Sequence, residues 1–188
     1  MSIFDKFSNK PASEPAAVTT FQNSEETFVF QSLPESVQEL RSLPEATLDT
    51  PFKSAALSIL ALCAYSADKN IGIEMLNFLK GPRPLSNQEI SFLDDRFRDN
   101  KHYVIFSYFE GTSPENNYTP SMPFTLKIKS NPTSKDMGEE YMKLTVSSSG
   151  ADSPRQIVLR RKGDGRWFLW EQYLLVGIRT PKSEDPWA

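Results

Sequence analysis

Between residues 27 and 97 the large apolar residues recur mostly at helical spacing, and beyond residue 100 the spacing drops to two. A short strand at 27–30 leads into a helix with Ser32 as its cap, Pro34 in its first turn, and Leu33, Val37 and Leu40 at three- and four-residue intervals. Thr50 ahead of Pro51 opens the next helix, because the N–H that proline lacks is unpaired in a first turn anyway. From Ala55 to Tyr65 only Ser58 is clearly polar, so this helix is apolar nearly all round; it is too short for a bilayer and must run through the core. A further helix spans 69–80, burying Ile71, Met75, Leu76 and Leu79 and ending at Gly81 before Pro82. Ser86 and Glu89 then form a capping box, with Leu85 placed to staple onto Ile90, and the helix beginning at Asn87 turns Ile90, Leu93 and Phe97 inward.

The two-residue period predicts strands at 102–109, 124–129, 141–147, 156–162 and 166–176. In the middle strands Leu126 and Ile128, or Met142, Leu144 and Val146, alternate with lysine and threonine, giving one wet face. Helices followed by strands imply an α+β fold, with N-terminal helices packed on a C-terminal antiparallel sheet of about five strands. The hairpin at 156–178 turns at Gly163-Asp164-Gly165. Along its second arm Trp167, Leu169 and Tyr173 alternate with Phe168, Trp170 and Leu174, so both faces need a cover, which predicts a central place in the sheet. The helices opening at Pro51 and Ser86 supply one cover, and the tail ending near Trp187 is the candidate for the other. On this reading the tryptophans of the hairpin are structural.

Length and composition narrow the picture. The 188 residues suit a tail at 1–20, rich in Pro, Ala and Ser and poor in large apolar groups, followed by one α+β domain at 21–188. Ile3, Phe4 and Phe7 can form one short amphipathic turn, although a frayed start is the simpler reading. A net charge of -3 argues against a protein-wide nucleic-acid or anionic-membrane footprint. The single cysteine, Cys63, excludes an intramolecular disulfide, a CxxC pair and a thiolate zinc site, and its apolar helical setting reads as a buried thiol. With no apolar run long enough for a span and no signal sequence, the expected address is the cytoplasm.

Candidate chemistry is sparse. Asp94, Asp95, Arg96 and Arg98 form the densest charged group, and paired carboxylates with arginines can hold a proton, a metal or an anion. Adjacent helical positions diverge by about 100°, however, which favours a solvated face. The polar loop 110–120 offers Glu110, Asn116, Asn117 and Tyr118 beside Tyr108, in residue types that build turns as readily as binding sites. The loop 147–155 can present Asp152, Arg155 and backbone amides to an anion, but lacks the Gly-Lys-Ser/Thr of a phosphate loop. His102 has no recognisable nucleophile beside it, so no catalytic residue is assigned, and no metal or cofactor is called for. Between Pro154 and Arg179 six cations face two anions, a local +4 beside aromatics, as on surfaces that bind single strands. The need for those aromatics in the core argues against nucleic acid.

Six strings, GPRPLS, FLDDR, SYFEGTSPENNYTP, SSSGADSPR, WFLWEQYLL and IRTPKSEDPWA, together resemble a family of uncharacterised bacterial domains of unknown function over roughly residues 27–188. The resemblance implies bacterial origin and brings no activity. In element order alone the chain is also similar to the nuclear-transport-factor-2-like cone, an analogy of fold that licenses no function. The leading expectation is a non-enzymatic binding or protein-interaction module. The alternative is a small-molecule binder or enzyme using the concave face of the sheet, with Asp94, Arg96, Tyr108 and Glu110 near its mouth.

Overall fold

A computed structural model describes residues 23–187. The expectations for the tail at 1–20 and for Ile3, Phe4 and Phe7 lie outside the described residues. In chain order the elements are β1 (Glu25–Phe30), α1 (Val37–Ser42), α2 (Pro51–Ala67), α3 (Lys69–Lys80), α4 (Asn87–Phe97), α5 (Tyr103–Phe106), β2 (Phe124–Lys129), β3 (Tyr141–Val146), β4 (Arg155–Arg161) and β5 (Trp167–Gln172), with short 3-10 turns at Pro44–Thr47, Pro114–Asn116 and Lys182–Glu184. The strands form one antiparallel sheet in the order β1-β2-β3-β4-β5, with the helices on the N-terminal side of the chain packed against it.

α2 lies across β2 to β5 and is buried on nearly every side. Thr50 Oγ1 accepts from Lys53 N–H at 3.2 Å, which caps its first turn. Its buried serines are both satisfied: Ser58 donates to the Ser54 carbonyl and Ser54 donates to the Trp167 carbonyl, each at 2.7 Å. α3 packs closely on α2 because Gly72 has no side chain; a Cβ there would lie 2.2 Å from Tyr65 Cα. The capping box of α4 forms as its sequence predicts, with Glu89 N–H on Ser86 Oγ and Ser86 N–H on a Glu89 oxygen.

Several local expectations are corrected. Residues 102–109 form no strand: Val104 N–H bonds to the Lys101 carbonyl and Ser107 N–H to the Tyr103 carbonyl, closing a single helical turn. In YVIFSYF nearly every side chain is apolar, so the run carries no usable period. Ser107 and Thr112 also donate to the nearby carbonyls of Val104 and Phe109, favouring a coiled backbone over a ladder. β1 supplies the fifth strand instead, paired along its length with β2. α1 is capped by Ser36, not Ser32, because Ser36 has Glu39 three residues on to bond back across the cap.

The hairpin is not central; β5 is an edge strand. Its outer edge is closed at Trp167, whose N–H donates to the Leu48 carbonyl at 2.8 Å and whose carbonyl accepts from Ser54, and the residues from Trp167 to Leu169 are buried. β5 stops at Gln172, whose side-chain oxygen accepts from Leu174 N–H and turns the chain away. Trp187 is 93% exposed and covers no face of the sheet among the described residues.

Candidate functional site

The eight residues singled out for their chemistry do not share one place. Tyr108, Asn117, Tyr118, Asp152 and Arg155 converge, but on the chain's own segment 174–183. Tyr108 Oη donates to the Leu174 carbonyl at 2.6 Å, and Tyr118 Oη to the Arg179 carbonyl at 2.7 Å. Burial raises both phenols, that of Tyr108 well above its ordinary range. Arg155 donates to the carbonyls of Val176 and Gly177 at 3.0 and 2.9 Å and to Ser153, while Asp152 pairs with Arg179 and Asn117 accepts from Ser183. These groups form a strap that fastens the C-terminal segment.

The other three lie apart. Asp94 accepts from Tyr65 Oη at 2.8 Å and Lys69 Nζ at 2.6 Å, tying α4 to α2 and α3; the Lys69 bond, helped by the Tyr65 hydroxyl, holds its carboxyl below the usual range. Glu110 pairs with Lys127 at 2.6 Å. Arg96 lies over the Phe92 ring at 5.0 Å, and its Nε is enclosed without a hydrogen-bond partner. The sheet face under α2 is core, with Leu57, Ile59, Leu126, Leu144 and Ile157 in one buried cluster. A separate hollow of about 810 Å³ lies between Leu33, Ile71, His102 and Met122, with the buried, neutral Cys63 in its lining. Burial raises the pKa of that thiol far out of the reactive range.

A groove beside β5 concentrates unspent chemistry. It starts with the end of α3, where Gly81 at φ 59 lets the chain turn against Phe168; a Cβ there would lie 2.5 Å from the ring. The turn sets Arg83 over Trp170, with its guanidinium carbon 4.7 Å from the ring centroid. On the opposite side of the register Val158 pairs with Glu171 and Leu159 with Leu169, which leaves Trp170 as the extra residue of a β-bulge. Arg160 also lies 4.7 Å from the Trp170 centroid and 5.3 Å from that of its cross-strand partner Tyr141. Tyr141 in turn meets Trp170 edge to face at 5.7 Å.

Two guanidinium groups are thus gathered on one indole. Among the described residues neither they nor Arg161 has a carboxylate within ion-pair distance, whereas the neighbouring Lys162 and Arg166 share Asp164. A guanidinium attracted to a ring keeps N–H donors at its edge, in the fork geometry that grips a carboxylate or phosphate. The cavity bounded by Arg83, Arg160, Arg161, Lys162 and Trp170 measures about 450 Å³.

A second cavity of about 280 Å³ continues from it, sharing Lys80, Leu169 and Trp170 and lined by Leu85, Phe92, Leu93 and Tyr173. Phe92 and Tyr173 are 39% and 48% exposed at its rim. Lys80 separates the halves but is already neutralised: its buried ammonium bonds Glu89 at 2.7 Å. Burial pushes the Glu89 carboxyl up, but the bonds from Lys80 and from the Ser86 N–H and hydroxyl outweigh it and hold the pKa at about 2.

The charge surplus of the hairpin signalled Arg160 and Arg161 in the sequence. Arg83, Tyr141 and Phe92 were missed, because their approach to Trp170 depends on contacts between distant segments. Arg96 alone of the eight reaches the groove's rim, through Phe92. Among the described residues no group of three or more His, Cys, Asp or Glu is arranged to hold a metal ion, and no helix is long and apolar enough to cross a membrane.

No curated protein and no solved structure matches the chain. The family described as Domain of unknown function (DUF6935) matches residues 32–182, most of the sequence, and the chain belongs to that family.

Proposed function

We propose that the chain is a protein-interaction module that binds an extended segment bearing acidic and aromatic side chains in the groove beside β5. The observation that carries this reading is the pair of carboxylate-free guanidinium groups held on Trp170, next to a mainly apolar cavity that Glu89 and Glu171 also line. Arginine, tryptophan and tyrosine are the residue types that dominate binding energy at interfaces. β5 has six residues, about 20 Å of strand, which suits an extended peptide of similar length better than a compact metabolite. The cationic half selects carboxylates and the apolar half selects an aromatic ring; a cavity of ~150 Å³ already accommodates benzene.

A fluorescein-labelled decapeptide of Glu, Asp, Trp and Ser, titrated with the full chain, tests the reading by anisotropy. Saturable binding is expected that weakens with added salt and falls by about tenfold or more in Arg83→Glu/Arg160→Glu. Equal binding of a peptide with lysine at every acidic position would refute it.

A further inference from the structure

We infer that the groove's occupant is the C-terminal segment of a second copy of this chain, an inference that rests on the peptide-binding reading above. Residues 184–187 carry the chemistry the groove selects. Trp187 is 93% exposed, and among the described residues Glu184 and Asp185 have no cationic partner. The two carboxylates precede the indole by three and two residues, about 7 to 10 Å of extended chain. That spacing lets carboxylates meet Arg83 and Arg160 while the ring enters the adjoining cavity between Leu85, Phe92 and Tyr173.

The segment cannot serve its own groove in this way. Lys182 is held by Glu115 at 3.1 Å and Ser183 by Asn117 at 2.5 Å, which fixes the base of the segment beside the strap. The strap lies at the Arg155 end of β4 and the guanidinium pair at the Arg160 end, about 17 Å along the strand. Asp185, the farther of the two carboxylates, lies two residues beyond Ser183, at most about 7 Å of extended chain. The contact is therefore between copies and head-to-tail, leaving each copy in a pair with one unused tail or groove, so association extends past a dimer unless a ring closes.

Two variants of the full chain test this by sedimentation velocity. Glu184→Lys/Asp185→Lys/Trp187→Ala blocks the tail, and Arg83→Glu/Arg160→Glu blocks the groove; unchanged melting temperatures confirm that both fold. The wild-type chain is expected to gain mass with concentration and lose that gain in high salt. Each variant alone should stay monomeric, and their equimolar mixture should form a one-to-one dimer and nothing larger.

A wild-type chain that stays monomeric, association that survives the tail block, or association lost only on deleting residues 1–20 overturns the inference. The tail-blocked variant separates this result from failure of the underlying reading. If it binds the acidic decapeptide while the wild type stays monomeric, only the second copy is excluded; if it does not bind, the groove itself is refuted.

Discussion

Arg155 and Arg160 stand five residues apart on the same strand, yet their donors have opposite fates. Arg155 spends its guanidinium on the carbonyls of Val176, Gly177 and Ser153, closing the chain on itself. Arg160 lies against Trp170 and Tyr141 and meets no carboxylate among the described residues. One end of β4 is a finished structural joint, and the other keeps its guanidinium donors clear of any carboxylate among the described residues. Residue type alone does not distinguish them; the acceptors within reach do.

Substitutions can separate the two ends. The largest effect is expected from Gly150→Ala at the strap. Its Cβ would lie 2.3 Å from Tyr118 Oη and 2.7 Å from Ile178 Cγ2, so about 2 to 3 kcal/mol of stability should be lost in a urea melt. Arg155→Ala should cost about 2 kcal/mol in the same measurement, because it removes the charge-assisted bonds to the carbonyls of Val176, Gly177 and Ser153, while decapeptide binding to the groove stays intact.

Trp170→Ala should show the reverse balance. Its only partly buried place in the bulge limits the destabilisation to about 1 to 2 kcal/mol, below the ~3 to 5 of a fully emptied aromatic core site, but binding should disappear. Arg83→Ala/Arg160→Ala should change stability least, by about 1 kcal/mol at most, since cation–ring contacts at exposed sites are weak. Binding should again be lost.

Acid sharpens the comparison from the groove's floor. Glu89 has a folded pKa of about 2 against an ordinary value of 4.5, so its contribution is fully present above about pH 4.5 and is lost as pH falls toward 2. Urea midpoints across that range should fall more steeply in the wild type than in Glu89→Gln.

The features legible in the sequence are those fixed by near neighbours. Thr50-Pro51, the Ser86–Glu89 box and the Asp164-Gly165 turn each specify backbone geometry within a few residues, and all three form. The run from Tyr103 to Phe109 was misread because burial on all sides erases periodicity. The edge position of β5 was hidden because the Leu48 carbonyl and the Ser54 hydroxyl close it from more than a hundred residues away. The groove beside β5 was half legible. The cations of the hairpin were countable, but Arg83 joins them through the turn that Gly81 makes against Phe168, and the Tyr108 and Arg155 groups were drawn to a strap that no local pattern announces.

The most direct test follows the indole N–H resonances of Trp167 and Trp170 by ¹H–¹⁵N NMR while the acidic decapeptide is added to the tail-blocked variant, which lacks Trp187. Trp170 lines the groove and Trp167 is buried beside Leu48 and Ser54, so the account predicts a saturating shift of the Trp170 signal with Trp167 nearly still. A Trp170 signal that does not move, or two signals that move together, would contradict it.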